Sequence, residues 1–99
     1  MQVAQLEIDP GQLENYRVAV REQIEAAIRE EPGVLVLYAV SDIETPARVT
    51  VFEVYRDMAA YNAHLESAHF KKYKALTEMM VRSLALMRSM PIMLGAKAK

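Results

Sequence analysis

The chain contains no cysteine, only two histidines and only three glycines. The absence of cysteine excludes disulfides, thiolate metal sites and cysteine nucleophiles. Three glycines that do not cluster cannot form the phosphate-cradling loop of a tightly held nucleotide cofactor. The two histidines, His64 and His69, lie far apart around a continuous helix and have no third ligand at motif spacing. We therefore expect a protein with no resident metal and no other cofactor.

The chain also lacks a marked excess of charge and a long apolar run. Its formal net charge is −1, which argues against a broad nucleic-acid-binding surface. No apolar run is long enough to span a membrane, and the N-terminus lacks the basic-then-apolar form of a signal peptide. Residues 1–99 leave room for a single domain. We expect a cytoplasmic protein that binds neither nucleic acid nor a membrane.

Apolar residues are abundant for so short a chain. They make up 53% of it and include seven methionines. A chain of this size buries only about 60–65% of its unfolded surface, so its stability would gain from a partner. Excess apolar surface in a small domain usually marks a subunit interface or a pocket. The composition therefore predicts an interface, a pocket, or both.

Short periodic segments predict the first half of the fold. Alternating residues predict a strand over Gln2–Ile8. The sequence Asp9-Pro10-Gly11-Gln12 has the form of a helix start, and apolar residues at helical spacing extend this helix to Pro32-Gly33. Residues 34–40 form an apolar run of strand length, which predicts a strand buried on both faces. The polar residues 41–47 then form a loop into a third strand.

The third strand, Arg48–Tyr55, leads into the stretch that carries most of the polar chemistry. Its apolar residues occupy both faces, so we expect both faces to be covered. Glu53 is then an anomaly, because a carboxylate on a covered face needs a partner or a polar cavity. A salt bridge to an arginine such as Arg48 or Arg56 is the purely structural alternative.

Two short helices follow this strand. Asp57 is placed to cap a helix over residues 58–65, and Ser67 is placed to cap a second helix that begins at His69. A break at Ser67 lets the two histidines converge. The corner then collects four side chains that ionise or form hydrogen bonds, namely Glu53, Tyr55, His64 and His69. This strand-to-helix corner is a candidate pocket.

The C-terminal segment completes the order of elements. The helical pattern fades at Ser83, and residues 84–90 fit either a last strand or a continuation of the helix. Residues 91–94 read as an extended tail. With a last strand, the order βαββαβ predicts an α+β, ferredoxin-like antiparallel sheet with its helices on one face. The other face would be apolar and bare, so we expect a homodimer that buries it, with residues 91–94 crossing onto the partner.

The stretch from Glu53 to Phe70 reads E-x-Y-x-D-x-x-A-x-x-x-H-x-x-S-x-H-F. It resembles the antibiotic-biosynthesis-monooxygenase (ABM) family of small dimeric α+β proteins, and the flanking elements fall in the family's order. The resemblance implies a single ABM-like domain over residues 1–99 and a dimeric α/β barrel. One branch of the family oxidises electron-rich quinols or anthrones with O2, using neither metal nor flavin. The resemblance thus implies a cofactor-independent monooxygenase for a small aromatic substrate.

Two other branches give different expectations. The haem-degrading branch has an Asn on the first strand, a Trp at the position of Tyr55 and a His at the position of Lys74. This chain departs from it in all three places, so the resemblance does not extend to haem. Another branch isomerises a small phosphorylated dione in autoinducer-2 processing and shares the pattern of Glu53, Tyr55 and two histidines. An isomerase of such a dicarbonyl, or a dimeric ligand-binding protein without catalysis, therefore stays open.

The corner and the resemblance together give the candidate site. The candidate catalytic residues are His64, His69, Tyr55 and Glu53. His64 near a helix C-terminus favours its charged form and His69 in a first helical turn favours its neutral form, so one could act as acid and the other as base. Alternatively, each ring merely bonds a backbone carbonyl or a carboxylate. The candidate substrate-binding residues are Tyr38, Phe70, Tyr73 and Met80.

Overall fold

Residues 1–98 are described by the structure, a computed structural model of the single chain. The elements, in chain order, are β1 (Gln2–Ile8), α1 (Leu13–Glu30), β2 (Val34–Ser41), β3 (Arg48–Tyr55), α2 (Met58–Glu66), α3 (Ala68–Thr77) and β4 (Val81–Arg88). The predicted βαββαβ order is confirmed, with the second helical region divided into two helices. No helix within residues 1–98 is long and apolar enough to cross a membrane.

The four strands form one antiparallel sheet in the order β2-β3-β1-β4. In the centre of this sheet, Leu6 of β1 pairs with Val49 on one side and with Leu84 on the other. This is the predicted ferredoxin-like α+β arrangement. The C-terminal segment is a strand and does not prolong the helix, and it begins at Val81, before the helical pattern fades at Ser83.

Side-chain caps set the helix boundaries near the corner. The Asp57 carboxylate accepts a hydrogen bond of 2.8 Å from the backbone N–H three residues later, and the Ser67 hydroxyl accepts one of 3.3 Å in the same way. Ser67 has an extended backbone, which separates α2 from α3. The start at Asp9 differs from the prediction, because a 3₁₀ turn over Pro10–Gln12 precedes α1, which begins at Leu13.

The core lies between the helices and one face of the sheet. Every second residue of β1 points into it and is buried, namely Gln2, Ala4, Leu6 and Ile8. Tyr16 and Val20 of α1 pack against this row. The alternation of residue types that predicted the strand therefore matches the alternation of its side chains between the core and the other face of the sheet.

The edge strand β2 is largely uncovered in the single chain. Leu35, Tyr38 and Val40 are 55%, 60% and 48% exposed, and within the strand only Val34 and Leu37 are buried. The prediction that β2 is buried on both faces is therefore not met by one chain. Its apolar sequence is nevertheless typical of a covered strand.

Gly33 lies at the start of β2, where the backbone passes close to α2. A Cβ atom at Gly33 would lie 2.5 Å from the Cβ atom of Ala60. Gly33→Ala is expected to lower the free energy of unfolding by about 1–3 kcal/mol, the usual cost of overpacking. Gly11→Ala is the matched control, since its added Cβ would lie 3.6 Å from Asp9 Oδ1, an ordinary contact. Urea denaturation compares the two variants, and equal stability would contradict the close approach at Gly33.

Candidate active site

A cavity of about 750 Å³ lies between the helices and the sheet. Its walls are largely apolar and include Leu6, Val20, Ile24, Leu37, Val51 and Phe70. The polar side chains that reach it include Gln2, Gln23, Glu53, His64, Tyr73 and Thr77, and the charged residues Lys74, Glu78 and Arg82 also border it. A cavity of this size with largely apolar walls and convergent polar groups is the usual form of a small-molecule site.

His64 is an almost fully buried polar side chain of this cavity. It lies in the last turn of α2, and 2% of its side chain is exposed. Its Nδ1 lies 2.7 Å from Oε2 of Glu31, the residue that follows α1, and its Nε2 lies 3.0 Å from the amide nitrogen of Gln23. With the Gln23 amide nitrogen in this position, Nε2 of His64 is the acceptor and Nδ1 is the donor to Glu31, because an amide nitrogen only donates. Both ring nitrogens of His64 therefore have a hydrogen-bond partner.

His69 lies on the other side of the same carboxylate, in the first turn of α3. Its Nε2 lies 2.6 Å from Oε2 of Glu31, and its Nδ1 lies 3.5 Å from Oε2 of Glu30. The break at Ser67 brings the two histidine rings to a centroid separation of 6.0 Å. His69 does not line the cavity. The expectation that both histidines face one cavity is therefore not met, and His69 instead holds Glu31 from outside.

Glu53 lies on the cavity side of β3. Its carboxylate accepts a hydrogen bond of 2.6 Å from the Tyr55 hydroxyl, and the Gln2 amide nitrogen lies 3.4 Å from its other oxygen. The alternative of an arginine partner is wrong, because Arg48 and Arg56 lie against other carboxylates. Glu53 therefore pairs with Tyr55, not with a histidine, and its carboxyl group lines the cavity.

Aromatic rings surround His64 and stiffen this wall. The ring of Tyr55 lies 5.2 Å from that of Tyr61 and 5.5 Å from that of His64. Phe70 lies 5.0 Å from His64 and 6.1 Å from Tyr73. Phe70 and Tyr73 line the cavity, whereas Tyr55 stands behind Glu53 and does not. Tyr55 is thus placed to position Glu53 and to pack against His64.

The remaining candidate residues lie elsewhere, and two unpredicted residues join the site. Tyr38 is exposed on the outer side of β2, and Met80 packs against the core without reaching the cavity. The two additions are Glu31 and Gln23. Gln23 carried a signal, because it is a polar residue within the apolar stripe of α1. Glu31 carried none, because its histidine partners are 33 and 38 residues away in the sequence.

Burial perturbs the acidity of three tyrosines, the buried Tyr16 and the half-buried Tyr55 and Tyr73. The hydroxyl oxygens of Tyr16 and Tyr73 lie 2.7 Å apart. Burial raises the pKa of both residues above the ordinary value. Burial, together with the hydrogen bond to Glu53, likewise raises the pKa of Tyr55. The folded protein therefore keeps these phenols neutral, so their hydroxyls remain hydrogen-bond donors.

The protein is expected to lose stability as the pH rises above about 10. The unfolded chain releases phenol protons there, whereas the folded chain keeps them. A rising pH therefore favours the unfolded state. The stability that these neutral phenols contribute is fully present only below the pKa of tyrosine in the unfolded chain. Urea denaturation between about pH 8 and 11 measures this slope. Tyr16→Phe should reduce the slope, and an unchanged slope in that variant would contradict the buried-phenol account.

Fold and site define a class: an α+β protein with a ferredoxin-like sheet and an apolar cavity, in which a carboxylate orients one buried histidine. The family model of antibiotic biosynthesis monooxygenases matches residues 1–76, which contain Glu31, Glu53 and His64. The chain belongs to the antibiotic biosynthesis monooxygenase family. No curated protein matches it.

Solved structures are similar to this chain at several levels. A protein of Bacteroides thetaiotaomicron that carries the family name is 47% identical, with a TM-score of 0.93 over 99% of this chain and 93% of that chain. A protein of Lactobacillus acidophilus named as a monooxygenase is 26% identical, with a TM-score of 0.84, over 86% of this chain and 40% of that chain. A Nitrosomonas europaea protein with the family name is 21% identical, with a TM-score of 0.82 over 87% of this chain and 83% of that chain, which shows the shared fold alone.

Proposed function

We propose that the protein is a cofactor-independent monooxygenase that oxidises a small aromatic quinol or an anthrone-type substrate with O2. One observation carries the proposal. The ring of His64 lies at the wall of an apolar cavity, with Glu31 at its Nδ1 and Gln23 at its Nε2. A histidine whose Nδ1 donates to a carboxylate keeps Nε2 as a general base directed toward the cavity, as in other carboxylate–histidine pairs. The family to which the chain belongs supports monooxygenase chemistry in general.

In a reaction without a cofactor, the substrate itself supplies the electrons. The substrate displaces Gln23, and Nε2 of His64 takes a proton from its acidic O–H or C–H group. The resulting anion gives one electron to O2, the two radicals combine to form a C–O bond, and the peroxide anion takes the proton held by His64 to give a hydroperoxide. Nε2 of His64 then takes the remaining C–H proton of the oxygenated carbon as the O–O bond breaks and the carbonyl forms, and the departing hydroxide accepts that proton and leaves as water. The apolar walls keep bulk water away from the intermediates.

Glu53 supports a substrate with two hydrogen-bond donors. Its carboxylate and Nε2 of His64 are both acceptors at the cavity, and a ligand with two hydroxyl groups would satisfy both. Phe70 and Val51 each contribute apolar wall surface for a flat ring. A quinol combines a flat ring with two hydroxyl groups, so it matches this arrangement better than an aliphatic alcohol would.

An oxygen-uptake screen of small quinols and anthrones tests the proposal. Protein-free samples correct for autoxidation, and a chelator removes trace metals. We expect at least one substrate to consume O2 catalytically with no added cofactor. Anaerobic samples with small dicarbonyl compounds serve the isomerase alternative, since isomerisation needs no oxygen. Turnover of a dicarbonyl compound, with no protein-dependent O2 uptake for any quinol or anthrone, would contradict the proposal. Stabilisation of the protein by a ligand without turnover of any compound would also contradict it.

We further propose that the protein is a homodimer that pairs the uncovered faces of two sheets. Tyr38 of β2 is exposed there, and the tail after β4 carries Met90, Ile92 and Met93, which are 89%, 102% and 80% exposed. Residues 91–94 would cross onto the partner. Sedimentation at micromolar concentration is expected to give twice the chain mass of 11.2 kDa. Tyr38→Asp should shift the equilibrium toward monomer, and a monomeric wild-type protein would contradict the proposal.

A further inference from the structure

The cluster around Glu31 includes a second histidine, which base catalysis by His64 does not require. Oε2 of Glu31, a ring nitrogen of His64 and a ring nitrogen of His69 all lie within 4.8 Å of one another. They come from the end of α1, from α2 and from α3. His69 does not reach the cavity, yet its side chain is only 14% exposed, like that of Glu31. A carboxylate that needed only to orient His64 would not need this second buried imidazole.

The donor set is one that first-row divalent metal ions prefer. Two imidazole nitrogens and one carboxylate oxygen suit Zn²⁺ and its neighbours. The ring nitrogens that face away from Glu31 also have partners, Gln23 for His64 at 3.0 Å and Glu30 for His69 at 3.5 Å. Histidines that ligate metals almost always donate their other ring N–H to a carboxylate, a carbonyl or water. Glu30 is placed to accept from His69, and Gln23 can accept from His64 once its amide turns over.

We propose that Glu31, His64 and His69 bind one first-row divalent metal ion of the Zn²⁺ type, and that this ion inhibits the proposed reaction. Ligand atoms about 2.1 Å from a tetrahedral Zn²⁺ lie roughly 3.4 Å apart. The Glu31 oxygen now lies 2.7 and 2.6 Å from the two ring nitrogens. An outward movement of the Glu31 oxygen by about 1 Å, with the two ring nitrogens adjusting to the same spacing, therefore makes room for the ion.

The inhibitory part rests on the proposed function, because it concerns the same nitrogen of His64. An ion on Nδ1 replaces the proton that now points at Glu31. The proton of the neutral ring then lies on Nε2, where it donates to the amide oxygen of Gln23 after that amide turns over. His64 no longer accepts at the cavity. Metal occupancy and base catalysis are therefore mutually exclusive states of one residue.

Calorimetric titration of chelator-treated protein with Zn²⁺ tests the site without any substrate. We expect one ion per chain, with binding about ten-fold or more weaker in Glu31→Gln and His69→Asn. Glu25→Gln, which changes an exposed carboxylate of α1, should bind like wild type. Circular dichroism verifies that each variant is folded. Co²⁺ added to the wild type should give the visible absorption of a tetrahedral nitrogen–oxygen site. The site would be overturned if Zn²⁺ did not bind stoichiometrically and Co²⁺ gave no such absorption. It would also be overturned if both folded variants bound Zn²⁺ as tightly as the wild type.

Oxygen uptake with a responsive quinol tests the inhibition. Zn²⁺ should reduce wild-type turnover in proportion to occupancy, and a chelator should restore it. Full occupancy without inhibition would overturn the inhibitory part alone. Stoichiometric Zn²⁺ binding by a protein that turns over no quinol would contradict the proposed function and support the metal site, so the two failures are distinguishable.

Discussion

His64→Gln is expected to lower turnover of a quinol substrate by about 10²–10⁴-fold, the usual contribution of a positioned base. Glutamine fills part of the ring's space and offers hydrogen bonds to Glu31 and Gln23. It cannot, however, take a proton from the substrate near neutral pH. The cavity walls remain, so KM should change less than kcat. Steady-state oxygen uptake per folded protein measures both constants.

Stability has to be measured on the same samples, because His64 is also a packing residue. A ring that merely faced a pocket would contribute little to stability, but His64 is almost fully buried and holds two hydrogen bonds. His64→Ala should therefore lower the free energy of unfolding by roughly 1–3 kcal/mol. Ile8→Val is the matched control, since Ile8 is 1% exposed and does not line the cavity. It should cost about 0.5–1.5 kcal/mol and leave turnover intact. Wild-type turnover in His64→Gln would remove His64 from the site.

Glu31→Gln is expected to lower kcat roughly 10²-fold with little change in KM. Glu31 does not line the cavity, and in the proposed reaction it acts through His64. The amide oxygen of glutamine can still accept a proton from Nδ1, but it lacks the negative charge that stabilises the imidazolium formed when His64 takes the substrate proton. The loss should therefore appear in the chemical step and not in substrate binding. Oxygen uptake at saturating and at limiting substrate separates the two.

The control for Glu31→Gln is the same substitution at a carboxylate that lies outside the site. Glu66 is exposed and pairs with Lys71 at the surface, so Glu66→Gln should keep both kinetic constants. Glu31→Asp retains the charge and should recover more of the kcat than Glu31→Gln does. If Glu31→Gln raised KM and left kcat unchanged, Glu31 would bind substrate, and its role as the positioning residue of His64 would be wrong.

Local patterns were sufficient to predict the fold. The alternation in Gln2–Ile8 and the caps at Asp57 and Ser67 act over a few residues, so each appears directly in the sequence. The C-terminal strand was ambiguous because residues 84–90 are apolar at almost every position, and only pairing with β1 decides between strand and helix. The sequence did not predict the exposure of β2. An apolar run indicates that a strand is covered, but it does not show whether the covering surface belongs to the same chain.

The polar partners of the site could not be predicted in the same way. The corner motif placed His64, His69, Tyr55 and Glu53 near one another because they lie within one short stretch. Which group bonds which is decided by contacts between distant segments, and the bond from His64 to Glu31 spans 33 residues. Glu31 lies at a helix end beside Pro32-Gly33, where a carboxylate resembles any solvated surface residue. Its role follows only from the packing of α1 against α2 and α3.

The central claim is that an oxygen atom from O2 enters a substrate held beside His64. Mass spectrometry of the product formed under ¹⁸O2 tests it most directly, with a parallel run in H2¹⁸O to correct for exchange at carbonyl groups. The account predicts that wild-type protein places one ¹⁸O atom in each product molecule and the other in water, and that His64→Gln yields only the protein-free background. Product formed at the wild-type rate without ¹⁸O would contradict it.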